Sequence, residues 1–167
     1  IRQIAEMKVD VPMLAMTHCD AAKLSQQHGK NSQYALCASQ WHKSLSYKDK
    51  YFGGGMKYAA DFKKKFDYDP PYQAAESSAA LLVFKDAFER ANSFDTKKVR
   101  DALAATEMQT FYGNIKFAPG GQNISKPMVL FQVICNDDGS KCENKVVAPL
   151  KWASAELVHP IPKWSDR

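Results

Sequence analysis

Apolar residues recur along the chain with two periods, and the order of the two periods is informative. Ile1, Ile4, Ala5 and Lys8 share one face of a helix ending near residue 8. Val11-Pro12-Met13-Leu14-Ala15-Met16 and Tyr34-Ala35-Leu36-Cys37-Ala38 read as short buried strands. Between them, Ala21 to Gln27 reads as a turn or two of helix, with Gly29 as its C-cap. Helix, strand, helix, strand is the order of a parallel α/β sheet. Ser39 to Lys50 has no period and reads as a connection.

The Gly53-Gly54-Gly55 triplet is costly inside a helix and is placed at a helix start. Met56, Ala59, Ala60, Phe62 and Phe66 continue that helix until Pro70-Pro71. Tyr72 to Ala91 is predicted as a long helix whose inner stripe is Ala75, Ala79, Leu82, Val83 and Ala87. Asp95 is the expected cap of a helix over Thr96 to Ala105. The pattern then turns to β at Gly113–Phe117, Pro127–Ile134 and Lys145–Leu150, with a Pro- and Trp-bearing tail from residue 151 onward.

Composition adds bounds. The 167 residues are 45% hydrophobic and 25% charged, enough for an ordinary core. No apolar run approaches the ~18 residues of a membrane span, so no membrane insertion is expected. The net charge is +5, but the Lys63-Lys64-Lys65 run carries no aromatic interleaving and reads as a solvated helix face, not a nucleic-acid surface. The helical pattern is already running at Ile1, with no residue ahead of it to cap it, which predicts residues upstream. The glycine triplet is not followed by Gly-Lys-Ser/Thr, so it is not a phosphate loop.

Cysteine placement is more telling. Cys135 and Cys142 flank an Asp138-Gly139 turn between strand-like arms, which predicts a bridge across a hairpin, with two free thiols as the alternative. Cys19 and Cys37 are a second candidate pair. A disulfide points to an oxidising compartment, such as the periplasm or cell exterior. His18, Cys19, His28, Cys37 and His42 lie close in sequence but lack metal-ligand spacing, so no metal and no cofactor is expected. Cys37 and His42 are a conceivable nucleophile and base, yet a thiol in an apolar strand is usually inert.

Four local patterns, taken in order, resemble one family. They are Ile1-Arg2-Gln3-Ile4-Ala5-Glu6-Met7 before Val11-Pro12-Met13-Leu14; Phe62-Lys63-Lys64-Lys65-Phe66 and Pro70-Pro71-Tyr72 before the Ala-rich helix that ends Ala87-Phe88-Glu89-Arg90-Ala91; Asp95 to Leu103 leading into Thr110-Phe111-Tyr112-Gly113-Asn114-Ile115-Lys116-Phe117; and Gly120-Gly121-Gln122-Asn123 before Met128 to Val133. None is catalytic. Together they resemble the C-terminal half of the leucine/isoleucine/valine-binding (receptor-family ligand-binding region) group of type I periplasmic solute-binding proteins.

That resemblance implies an α/β fold with two parallel-sheet lobes, three crossovers and a ligand in the cleft between the lobes. It assigns residues 1–40 to part of the second lobe and residues 41–112 to a crossover and a return to the first lobe. Residues 113–150 become second-lobe strands and a hairpin, and residues 151–167 a surface tail. Such a half completes neither sheet and is expected to need the N-terminal half for stability. The implied function is the substrate-binding component of an ABC transporter: not an enzyme, periplasmic, partnered by a permease, and closing on a small molecule by hinge motion. A sensor or regulator of the same fold is the alternative, and an α/β hydrolase a more distant one.

The resemblance also places candidate ligand contacts. Thr17 and His18 follow the first strand, where open α/β sheets bind ligands. Thr17 stands where many amino-acid-binding members resemble one another in having Glu, which argues against an ordinary branched-chain amino acid. His18 can donate to a carboxylate or hydroxyl. Trp41 would wall the cleft or pack at the hinge. Tyr72, Gln73 and Glu76 sit in the first turns of the long helix, whose N-terminus faces the cleft in the family arrangement; Glu76 is also a reasonable charge for that helix end.

Overall fold

A computed structural model describes residues 1–17, 27–126 and 128–167. The helices are α1 (Arg2–Glu6), α2 (Gly55–Phe66), α3 (Tyr72–Ala91) and α4 (Thr96–Ala104). The strands are β1 (Ala15–Met16), β2 (Leu36–Ser39), β3 (Lys48–Asp49), β4 (Gly53–Gly54), β5 (Glu107–Thr110), β6 (Gly113–Lys116), β7 (Val129–Cys135) and β8 (Cys142–Ala148). The chain divides into two compact units, Ile1–Gln40 with Met128–Arg167, and Trp41–Pro127.

The first unit is built on a four-stranded sheet of order β1-β2-β7-β8. Only the β1–β2 pair is parallel; β2–β7 and β7–β8 are antiparallel. Alternation along β7 sorts its side chains. Phe131 and Val133 join Ala35, Cys37 and Met16 in the core of one face. Gln132, fully buried between them in sequence, would be costly without partners. Its Nε2 donates to the carbonyls of Tyr34 and Val158, each at 3.1 Å, and its Oε1 accepts from Val158 N at 2.9 Å. One buried amide thus fastens the tail to the sheet. The tail is held again where Trp164 Nε1 donates to the Val9 carbonyl at 2.8 Å.

Cys135 and Cys142 face each other in the β7–β8 register, and the expected bridge between them is present, with Cα atoms 3.9 Å apart. Cys37 is also disulfide-bonded. The other member of the expected second pair, Cys19, lies outside the described residues, as do His18 and most of the helix expected over Ala21 to Gln27.

The second unit gathers around aromatic rings. Phe111 stacks on Tyr58 at 4.2 Å, and Trp41 meets both rings edge-on at 6.1 and 5.8 Å. Gly54 caps α2 and Gly55 opens it, because a Cβ at Gly55 would run into the Lys43 carbonyl. The glycines therefore mark a helix start through close backbone approach. Tyr58 on α2 reaches Ser78 on α3 by a 3.0 Å hydrogen bond. α3 runs over the whole predicted span and buries the predicted stripe, Ala75, Ala79, Leu82, Val83 and Ala87. Asp95 caps α4 by accepting from Lys98 N at 3.0 Å.

Two boundaries differ from the sequence reading. Glu107–Thr110 pairs with Gly113–Lys116 in a hairpin of its own, so residues 113–127 stay with the unit that begins at Trp41 and do not join β7 and β8. The division expected after residue 112 falls between Pro127 and Met128. The first predicted strand is also shorter, because only Ala15 and Met16 pair.

Candidate functional site

The second unit contains a groove of about 600 Å³, within the ~300–1,000 Å³ range of small-molecule sites. Three elements wall it. α3 contributes Glu76, Ala79, Ala80, Val83 and Phe84; α4 contributes Arg100, Leu103 and Ala104; β6 and the turn after it contribute Ile115, Phe117 and Asn123. Tyr112, at the tip of the β5–β6 hairpin, closes one side. The small side chains on α3 make the space, since alanines leave room a larger residue would fill.

The hairpin tip is fixed by local hydrogen bonds. Thr110, fully buried, donates from Oγ1 to the Gly113 carbonyl at 3.0 Å and accepts from the Tyr112 and Gly113 amides. Asp49 accepts from the Phe111 amide at 2.7 Å through one carboxylate oxygen and from the Tyr51 and Phe52 amides at 2.8 Å through the other. These contacts send Phe111 into the aromatic core and leave Tyr112 to line the groove. On the far side, Asn123 ties down the loop after β6, accepting from Lys116 N at 3.1 Å and donating to the Asn114 carbonyl at 3.2 Å.

Lys126 belongs to this hairpin too. Its Nζ lies 4.0 Å from the centroid of the Tyr112 ring, a cation–π contact. Its aliphatic stem covers Gly113, where a Cβ would collide with it; Gly113 also has φ +151°, a conformation L side chains rarely adopt. Burial pushes the Lys126 ammonium down to about 8, against the opposing influence of Glu76. Burial likewise pushes the Tyr112 phenol up, with the charges of Glu76 and Tyr72 adding in the same direction. Tyr72, Glu76, Tyr112 and Lys126 thus form one electrostatic group.

The predicted contacts fall out as follows. Tyr72 and Glu76, one helical turn apart on α3, are brought together with Tyr112. Gln73 is exposed and does not line the groove. Trp41 is 4% exposed and packs edge-on against Tyr58 and Phe111. Thr17 is exposed directly after β1 in the first unit. His18 lies outside the described residues. Sequence reasoning missed Tyr112 and Lys126. The glycine at position 113 was the available signal for the first; Ser125-Lys126-Pro127 offers none for the second. Among the described residues, no group of three or more His, Cys, Asp or Glu side chains converges to hold a metal, and no helix is long and apolar enough to cross a membrane.

Comparison with known proteins fits this architecture. The family model described as "periplasmic binding protein" matches residues 1–140, and the chain belongs to that family. Its α/β fold is that of the type I members. A leucine-binding protein from Thermotoga maritima superposes with a TM-score of 0.67 at 22% identity, covering 89% of this chain and 42% of its own. A leucine-, isoleucine-, valine-, threonine- and alanine-binding protein from Brucella ovis, in a closed conformation, gives 0.71 at 13% identity, covering 96% and 42%. The branched-chain amino acid transporter substrate-binding protein of Streptococcus pneumoniae, in complex with isoleucine, gives 0.63 at 14% identity, covering 86% and 40%. The chain therefore spans about two fifths of the length of these solved relatives.

Proposed function

We propose that this chain is part of the substrate-binding component of an ABC transporter, which captures an amino acid or a related small carboxylate or amide, closes on it by hinge motion and delivers it to a permease without chemical turnover. The observation that carries this reading is the family match over residues 1–140, joined to a groove lined by Glu76 and Tyr112. The solved relatives are described as binding proteins for such solutes. On this reading Tyr72 and Glu76 are solute contacts, together with Thr17, His18 and Gln73 from elsewhere in the fold. Trp41 acts behind them, by holding the hairpin that carries Tyr112. Disulfides at Cys37 and at Cys135–Cys142 support an oxidising compartment, the periplasm in this proposal.

The longer relatives support a further partner, the rest of the same protein. α3 is apolar on its outer side as well, where Leu81, Phe84 and Phe88 are exposed. We assign that stripe to contact with the remainder of the first lobe. The test of the function is a thermal-shift screen of the complete protein against amino acids, amides and small hydroxylated or aromatic acids. A single solute class should raise the melting temperature. A flat screen, or consumption of any compound, would contradict the proposal.

A further inference from the structure

β1 is the shortest strand of its sheet and lies at one edge, paired with β2 alone through Ala15 and Met16. Leu14 and Met16 pack on the core of one face, and the Leu14 carbonyl accepts from the Leu36 amide at 2.8 Å. The link ahead of the strand, Val9 to Met13, is neither helix nor strand. Backbone groups in such a link need partners from elsewhere. Here the tail supplies them. The Pro12 carbonyl accepts from the Ile161 amide at 3.0 Å, and the Val9 carbonyl from Trp164 Nε1 at 2.8 Å. Asp10 accepts from the Trp164 amide at 2.9 Å.

The tail is stiffened where it makes these contacts. Ile161 is buried, Arg167 lies 4.1 Å over the Trp164 ring, and its Nε donates to the Pro162 carbonyl at 2.8 Å. Further back, Gln132 grips both backbone groups of Val158. The tail is therefore anchored to β7 at one end and to the α1–β1 link at the other.

We propose that residues 158–167 are a strap that fixes the α1–β1 link, and that Trp164 is a positioning residue for Thr17, which directly follows β1. The solute role of Thr17 rests on the solute-binding reading above. Pro12 has a fixed φ and no N–H, so the bond to its carbonyl sets the direction in which the chain enters β1. With the strap in place the strand end is pre-organised. Without it, so short an edge strand frays from β2, and a solute has to order Thr17 as it binds, which costs affinity.

Two measurements on the complete protein and its Trp164→Ala variant test this. In amide exchange, Leu36 reports the β1–β2 contact and Val133, which donates to the Ala35 carbonyl, reports the β2–β7 contact. Leu36 should exchange about tenfold faster in the variant, with Val133 little changed. Trp164→Phe keeps a ring under Arg167 but loses the bond to Val9, and should fall between the two. In calorimetric titration with L-leucine, L-asparagine and 4-hydroxybenzoate, whichever binds should bind Trp164→Ala about threefold to tenfold more weakly. Unchanged exchange at Leu36, or equal acceleration at Leu36 and Val133, would overturn the strap, the second because the whole sheet has then lost stability. Faster exchange at Leu36 with unchanged affinity would overturn the positioning role. Saturable binding by none of the three probes would count against the solute reading and strike the positioning role with it, while the exchange rates would still decide whether the tail holds β1.

Discussion

At the scale of single residues, the account turns on what burial does to Lys126 and Trp41. Lys126 is held at about 8, so it is charged at neutral pH and loses its proton above that value. The groups facing it are Glu76 and Tyr72 from α3 and Tyr112 from its own hairpin, and Tyr112 is pushed up, away from this range. An NMR titration of Lys126 should therefore show its ammonium losing its proton near pH 8; a midpoint at the ordinary lysine value of about 10.4 would contradict this account of its burial. Trp41 makes a different prediction. Its ring is buried against Tyr58 and Phe111, so Trp41→Ala should cost about 3–5 kcal/mol in denaturant unfolding. A variant of unchanged stability but altered solute affinity would put Trp41 at the ligand instead.

At the scale of elements, α3 and the β5–β6 hairpin show what a sequence reveals and what it hides. α3 was legible to the residue, because its inner stripe repeats over twenty positions and Pro70-Pro71 leaves no doubt about its start. The hairpin was half legible. Gly113–Lys116 alternates as a strand should, but its partner Glu-Met-Gln-Thr has almost no β-branched or aromatic character and is made a strand by pairing alone. That missed partner moved the unit boundary from residue 112 to the Pro127–Met128 junction. The site followed the same rule. Tyr72 and Glu76 were accessible through helix position, whereas Lys126 meets Tyr112 only through the loop that follows β6. β7 offers a test of element-level accounting. Gln132→Leu removes three buried hydrogen bonds and leaves the Val158 amide without its acceptor. It should lower unfolding stability by about 2–4 kcal/mol and loosen the tail, seen as faster amide exchange at Val158.

At the scale of the whole molecule, two compact units carry different parts of the argument. The first supplies a mixed sheet stapled by Cys135–Cys142 and fastened to its tail through Gln132. The second supplies the groove and an exposed apolar stripe on α3. Neither holds a convergent metal cluster among its described residues. The solved structures that share the fold are described as binding proteins, and we propose binding without turnover for this chain. The measurement that bears most directly on that claim is a calorimetric titration of the complete protein with a solute identified by the screen, followed by chemical recovery of that solute. The account predicts one solute bound per protein molecule and the solute recovered unchanged. Conversion of the solute to a product, or the absence of any saturable binding, would contradict it.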